Sequence, residues 1–141
     1  MVVITNLTRN TRLADRADVA DHLPQRLVGL LSRASLAPGD ALLFPRCNSI
    51  HTCFMRFPID VVFVRSLDSG PHPGQRWPSL GIPPHERARG ASQGYVVRVV
   101  EALGPFRLAW AGEADTVIEL PAGMAAKTST EAGARLHWSV R

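Results

Sequence analysis

Ser49-Ile50-His51-Thr52-Cys53-Phe54-Met55-Arg56-Phe57-Pro58-Ile59-Asp60-Val61-Val62-Phe63-Val64 carries a His, a Cys, a Met and an Asp inside an otherwise apolar, strand-like run. Its second part, Ile59 to Val64, is apolar on both parities apart from Asp60, the pattern of a strand covered on both sides or closed within a barrel. Such a strand is central, and it sets the expectation of a mainly β domain built around it. Working outward, Val2 to Thr5 reads as a first strand, and Asn6 to Asn10 as a turn into a second extended piece near Arg12 to Ala14. Ala41 to Phe44, Tyr95 to Val100 and Thr116 to Leu120 read as further strands, and Leu136 to Val140 alternates well enough to close the sheet. One helix is expected, because Leu23, Leu27, Leu30 and Leu31 recur at helical spacing on one face, with Asp21 as cap and Pro24 in the first turn. Gly29 within it costs about 1 kcal/mol against Ala, so it is expected to admit another backbone closely. Ala122 to Lys127 reads as a brief helical turn.

At 141 residues, with 45% hydrophobic and 20% charged residues, the chain fits one ordinary globular domain spanning 1–141. No segment approaches a membrane span, and the N-terminal apolar run is too short for a signal-peptide core, so a soluble, cytoplasmic protein without membrane partners is expected. The formal charge of +4 comes almost wholly from arginines dispersed along the chain. A surface that tracks phosphates more often clusters its cations among aromatics, so no nucleic-acid partner is expected. Cys47 and Cys53 are expected as free thiols in a reducing compartment. The interval 66–94 holds Pro71, Pro73, Pro78, Pro83 and Pro84 and almost no aliphatic periodicity, and is expected to form a mobile, proline-rich loop insertion. Trp77, Leu80 and Ile82 are the residues in it that could dock.

Several motifs in order resemble a known family: Gly29-Leu30-Leu31-x-Arg33 with Leu36-x-Pro38-Gly39, then Ile50-His51-Thr52-x-Phe54-Met55-x-Phe57-Pro58-Ile59-Asp60-Val61-Val62-Phe63, then Pro105-x-Arg107, then Glu119-Leu120-Pro121-Ala122-Gly123. Together they resemble the bacterial and archaeal domain of unknown function 192 family. The resemblance implies a small mainly-β domain, a compact β-sandwich or barrel with one helix packed across an end, and it brings no agreed activity. The chain departs from the family pattern in the long insertion between the strands at Ile59 to Val64 and Tyr95 to Val100. It departs again in Cys53, where an aromatic is usual, and in Gly133-Ala134, where a Gly-Asp turn is common.

No set of residues is spaced so as to specify a reaction, and none is assigned to catalysis, to a metal or to a cofactor. Strand alternation would put His51, Cys53 and Met55 on one face, with Cys47 nearby, a ligand type suited to a soft metal. Cys53 and Met55 also fit as ordinary core filler. Asp60 shares its face with Val62 and Val64, and a buried charge must find partners. These are either backbone N–H groups in the turn at Phe57-Pro58, or His51 or Arg56 in a polar, ligand-binding centre. Glu119 is expected at the surface or in an ion pair with Arg33 or Arg107. Trp77, Trp110 and Trp138 are expected to pack. The function expected is a non-catalytic accessory module that binds an unknown small ligand or protein partner on a surface formed by His51, Thr52, Met55, Asp60 and Glu119. The alternative is a small metal-dependent protein or enzyme using His51 and Asp60.

Overall fold

A computed structural model describes residues 2–19, 36–52, 55–67 and 91–140. The helix expected over Leu23 to Leu31, including Gly29, lies outside the described residues, as do Cys53, Phe54 and 68–90 with Trp77, Leu80 and Ile82.

Seven strands form a closed barrel in the order β1 (Val2–Asn6), β2 (Thr11–Val19), β3 (Asp40–Pro45), β8 (Thr116–Pro121), β5 (Ile59–Ser66), β6 (Ala91–Leu103) and β9 (Arg135–Val140), which returns to β1. All pairings are antiparallel except β2 with β3. Of the sandwich and barrel expected from sequence, the chain therefore forms the barrel. A one-turn helix, α1 (Met124–Lys127), follows β8 where Gly123, at φ 91°, turns the chain. Outside the barrel wall, β4 (Ser49–His51) and β7 (Leu108–Trp110) form a separate two-stranded sheet.

β5 lies between β6 and β8, and all eight of its residues are buried. Its two apolar parities serve two cores. Val62 and Val64 join Ile4, Leu13, Leu43, Ile118 and Leu136 inside the barrel. Ile59, Val61 and Phe63 face outward and pack with Phe44, Val117, Ile50, Met55 and Ala109 in a layer between the wall and the small sheet. A strand with apolar groups on only one parity could not serve both, which is why Ile59 to Val64 lacks alternation. β2 and β6 run well beyond the short pieces read from sequence. The interval 66–94 begins and ends within the β5–β6 ladder, where Ser66 pairs with Gly94 and the Leu67 N–H donates to the Gln93 carbonyl at 2.8 Å. Close strand approach there leaves no room for a side chain at Gly94, since a Cβ would lie 2.6 Å from Val64 and 2.7 Å from the Arg65 carbonyl.

Candidate functional site

Asp60, at 0% exposure, stands at the end of β5 on the barrel's inner parity. Its Oδ1 accepts from the Ala102 N–H at 2.8 Å and its Oδ2 from the Ala125 N–H at 2.9 Å. The carboxylate thus ties together β5, the end of β6 and α1. The donors are backbone N–H groups, as in the structural alternative, but they come from two distant segments rather than from the turn at Phe57-Pro58. Ala102 is itself held at φ 49°, a left-handed conformation that costs a non-glycine residue about 1 kcal/mol or more. Fixing its N–H onto a buried carboxylate offsets that cost.

Glu119 lies on the other side of the same ladder. Opposite Leu42 on β3 and Val61 on β5, it shares the outer parity with Val117 and is 5% exposed. It is neither at the surface nor in an ion pair with Arg107, which is exposed; Arg33 lies outside the described residues. Its Oε2 is buried with no hydrogen-bond partner among the described residues. Burial without compensation disfavours the charged form and pushes its pKa up to about 8.

The strand that begins the quoted stretch ends at His51, so the expected alternation through Met55 does not hold. Ile50 and Ala109 of the small sheet turn inward, whereas Ser49, His51, Leu108 and Trp110 turn outward and are exposed. Thr52, by contrast, is 0% exposed and organises the loop that leads into β7. Its hydroxyl donates to the Gly104 carbonyl at 2.6 Å and accepts from the Arg107 N–H at 2.9 Å. Its N–H donates to the Arg107 carbonyl at 2.9 Å, and its carbonyl accepts from Phe106 at 3.0 Å and Met55 at 3.1 Å. Met55, 7% exposed, packs in the outer core rather than beside the His51 ring. The five residues named from sequence are therefore dispersed: His51 on the outer surface, Thr52 and Met55 beneath it, Glu119 on the outer wall, and Asp60 on the opposite face of that wall. Among the described residues no group of three or more His, Cys, Asp or Glu side chains is placed to hold a metal ion. The alternative that combines His51 with Asp60 has no shared centre in this geometry.

What sequence reasoning missed is the apolar face beside His51. Phe106, Leu108 and Trp110 are 66%, 63% and 59% exposed, the most exposed large apolar residues described, and Leu108 and Trp110 stand opposite His51 and Ser49. Trp110 was expected to pack, as Trp138 does at 8% exposure. Phe106 is held at φ 59° by the Thr52 contacts, an outlier for a bulky residue. The Arg98 guanidinium donates to the Trp110 carbonyl at 2.6 Å, Arg107 stands between Phe106 and Leu108 in the chain, and both are exposed, as are Arg46, Arg56, Glu101 and Glu113. A signal was present in the alternation of Phe106-Arg107-Leu108-Ala109-Trp110, with small Ala109 between large apolar groups. Alternation alone does not say which parity meets the core.

This assembly defines a small closed β-barrel carrying an external two-stranded flap. Residues 4–69 match the domain of unknown function 192 family, described as Uncharacterized ACR, the family that the motifs resemble. No curated protein matches the chain. Two crystal structures share the fold. One is a protein of unknown function from Novosphingobium aromaticivorans DSM 12444, at 18% identity and TM-score 0.62, covering 96% of this chain and 81% of its own. The other, described as a "putative transcription regulator" from Sinorhizobium meliloti 1021, has 20% identity and TM-score 0.65, with coverage of 96% and 89%. At such identities the likeness concerns architecture alone. Among the described residues no helix is long and apolar enough to cross a membrane.

Proposed function

We propose that the protein is a non-catalytic binding module whose outward flap face, built from Phe106, Leu108, Trp110 and His51, docks an apolar protein segment flanked by acidic residues. The observation that carries this is the exposure of three large apolar side chains at alternate positions, Phe106, Leu108 and Trp110, the first of them held in left-handed backbone geometry. Apolar groups that remain in water and a conformation that costs free energy together mark a surface kept for contact rather than for stability. Aromatic anchors of this kind supply most of the free energy of protein interfaces. The acidic flanks follow from charge: Arg46, Arg56, Arg98 and Arg107 exceed Glu101 and Glu113, in a chain of formal charge +4. In this proposal Thr52 positions the loop, Met55 supports the flap from below, and Asp60 and Glu119 do not touch the partner. The cytoplasm is the proposed setting, where a thiol such as Cys47 stays reduced.

Selection of a displayed random-peptide library against the purified protein tests this. Enriched peptides are expected to combine apolar residues with Asp or Glu, and to bind a folded Phe106→Ser/Trp110→Ser double variant at least tenfold more weakly. Enrichment of peptides without acidic residues, or equal affinity for the double variant, overturns the proposal.

A further inference from the structure

We infer a second binding site, for a small organic anion with an apolar body, in the cleft between the start of β2, the Pro38-Gly39 turn and α1. The cleft follows from the way the barrel closes. β2 pairs with β1 from Thr11 onward, but its parallel pairing with β3 begins only at Arg16 opposite Asp40. Between Thr11 and Asp15 that edge of β2 has no neighbouring strand among the described residues, and α1 lies beside it. The Thr11 hydroxyl donates to the Thr128 carbonyl at 2.7 Å, and the Asp15 and Arg16 N–H groups donate to the Gly39 carbonyl at 3.1 and 3.0 Å. What remains is a cavity of about 470 Å³, within the size range of small-molecule sites.

Its lining is two-sided. Leu13, Ala14, Pro38 and Met124 offer apolar contact, and Met124 is 9% exposed; Arg12 and Lys127 supply positive charge. The lining also holds one acidic group, Asp15, whose Oδ1 lies 3.3 Å from Arg16 without a hydrogen bond, while Arg16 binds Asp40 at 2.9 Å; against this carboxylate the two cations leave an excess of positive charge. Arg12 and Lys127, both exposed, have no ion pair or side-chain hydrogen bond among the described residues. Two uncommitted cations from different elements thus border one apolar cleft. A guanidinium fork and an ammonium lining one cleft match a carboxylate or phosphate head, and the apolar wall matches a short hydrocarbon body.

Lys127 is the chain's single lysine, so its ε-amine can be followed by itself. The full-length protein is treated with a limiting amine-acetylating reagent, and acetylation of Lys127 is read by peptide mass spectrometry with octanoate, 1-octanol or inorganic phosphate added. Octanoate is expected to slow acetylation several-fold at concentrations where octanol and phosphate do not. Arg12→Gln, at an exposed position and checked for folding by circular dichroism, is expected to raise the octanoate concentration needed at least tenfold. Equal protection by octanol removes the case for an anion, and equal protection by phosphate removes the apolar body. Octanoate protection that is absent, or unchanged by Arg12→Gln, removes the site.

Discussion

On the inner side of the β5–β8 ladder, Asp60 receives two backbone N–H groups at 2.8 and 2.9 Å, whereas on the outer side Glu119, between Leu42 and Val61, leaves Oε2 without a partner. Both carboxylates are buried. The difference is location along the strand. Asp60 lies at a strand end, where the end of β6 and the first turn of α1 have N–H groups not used in ladders. Glu119 lies in the middle of β8, where neighbouring backbone groups are already committed to β3 and β5. The outer layer also holds Phe106 in a left-handed conformation with its side chain 66% exposed. Costs are met inside the barrel at Asp60 and left standing outside it, and the exposed binding face is proposed on the side where they stand.

The largest expected effect breaks the outer side of this comparison. The Glu119 carboxyl keeps its proton up to about pH 8 in the folded chain but loses it near 4.5 when unfolded. The unfolded state therefore binds fewer protons in that window, and stability contributed by the neutral group falls as pH rises from 4.5 to 8. Glu119→Gln, neutral throughout, should be more stable than the wild type by about 4 kcal/mol at pH 8 and nearly equal to it at pH 4.5. Parallel stability curves for the two proteins would place the carboxyl in water or beside a cation. On the inner side the sign reverses. Asp60→Ala orphans the buried Ala125 donor, releases the part-buried Ala102 N–H and frees that strained residue, and a loss of about 3 kcal/mol is expected in urea denaturation. A loss below about 1 kcal/mol would mean that the carboxylate ties nothing together. The smallest effect concerns the loop. Phe106→Gly relieves left-handed strain and should gain about 0.5 to 1 kcal/mol in thermal denaturation while weakening peptide binding. A loss of stability would show that the ring packs, and would weaken the case that its exposure serves contact.

Much of the barrel is legible in the sequence because burial on both faces writes itself into a strand as an unbroken apolar run, as at Ile59 to Val64. Tyr95 to Val100 and Thr116 to Leu120 read the same way. Strand ends are less legible: β2 continues through Asp15, Arg16 and Asp18, charged residues that apolar patterning does not register as strand. The need of Asp60 for buried partners was legible, since a carboxylate between Ile59 and Val61 has no other outcome. The donors were not, because Ala102 and Ala125 act through backbone N–H groups that carry no side-chain signature. Glu119 misled for a related reason. Parity puts it opposite Leu120, which faces the barrel interior, and nothing local reveals that a second apolar layer covers the outside. That layer is made by β4 and β7, of three residues each, too short for periodicity to detect.

Closure of the barrel joins β1 to β9, with Val2 opposite Val140, and β9 also covers the Ala91 to Tyr95 portion of β6. During vectorial synthesis the first strand emerges long before its last neighbour. Until that neighbour leaves the ribosome, two strand edges offer free N–H and C=O groups to any other nascent chain. The ring cannot be completed by local pairing. Its assembly should therefore be slow for its size and wait for the emergence of β9, with misassociation in crowded expression its characteristic failure.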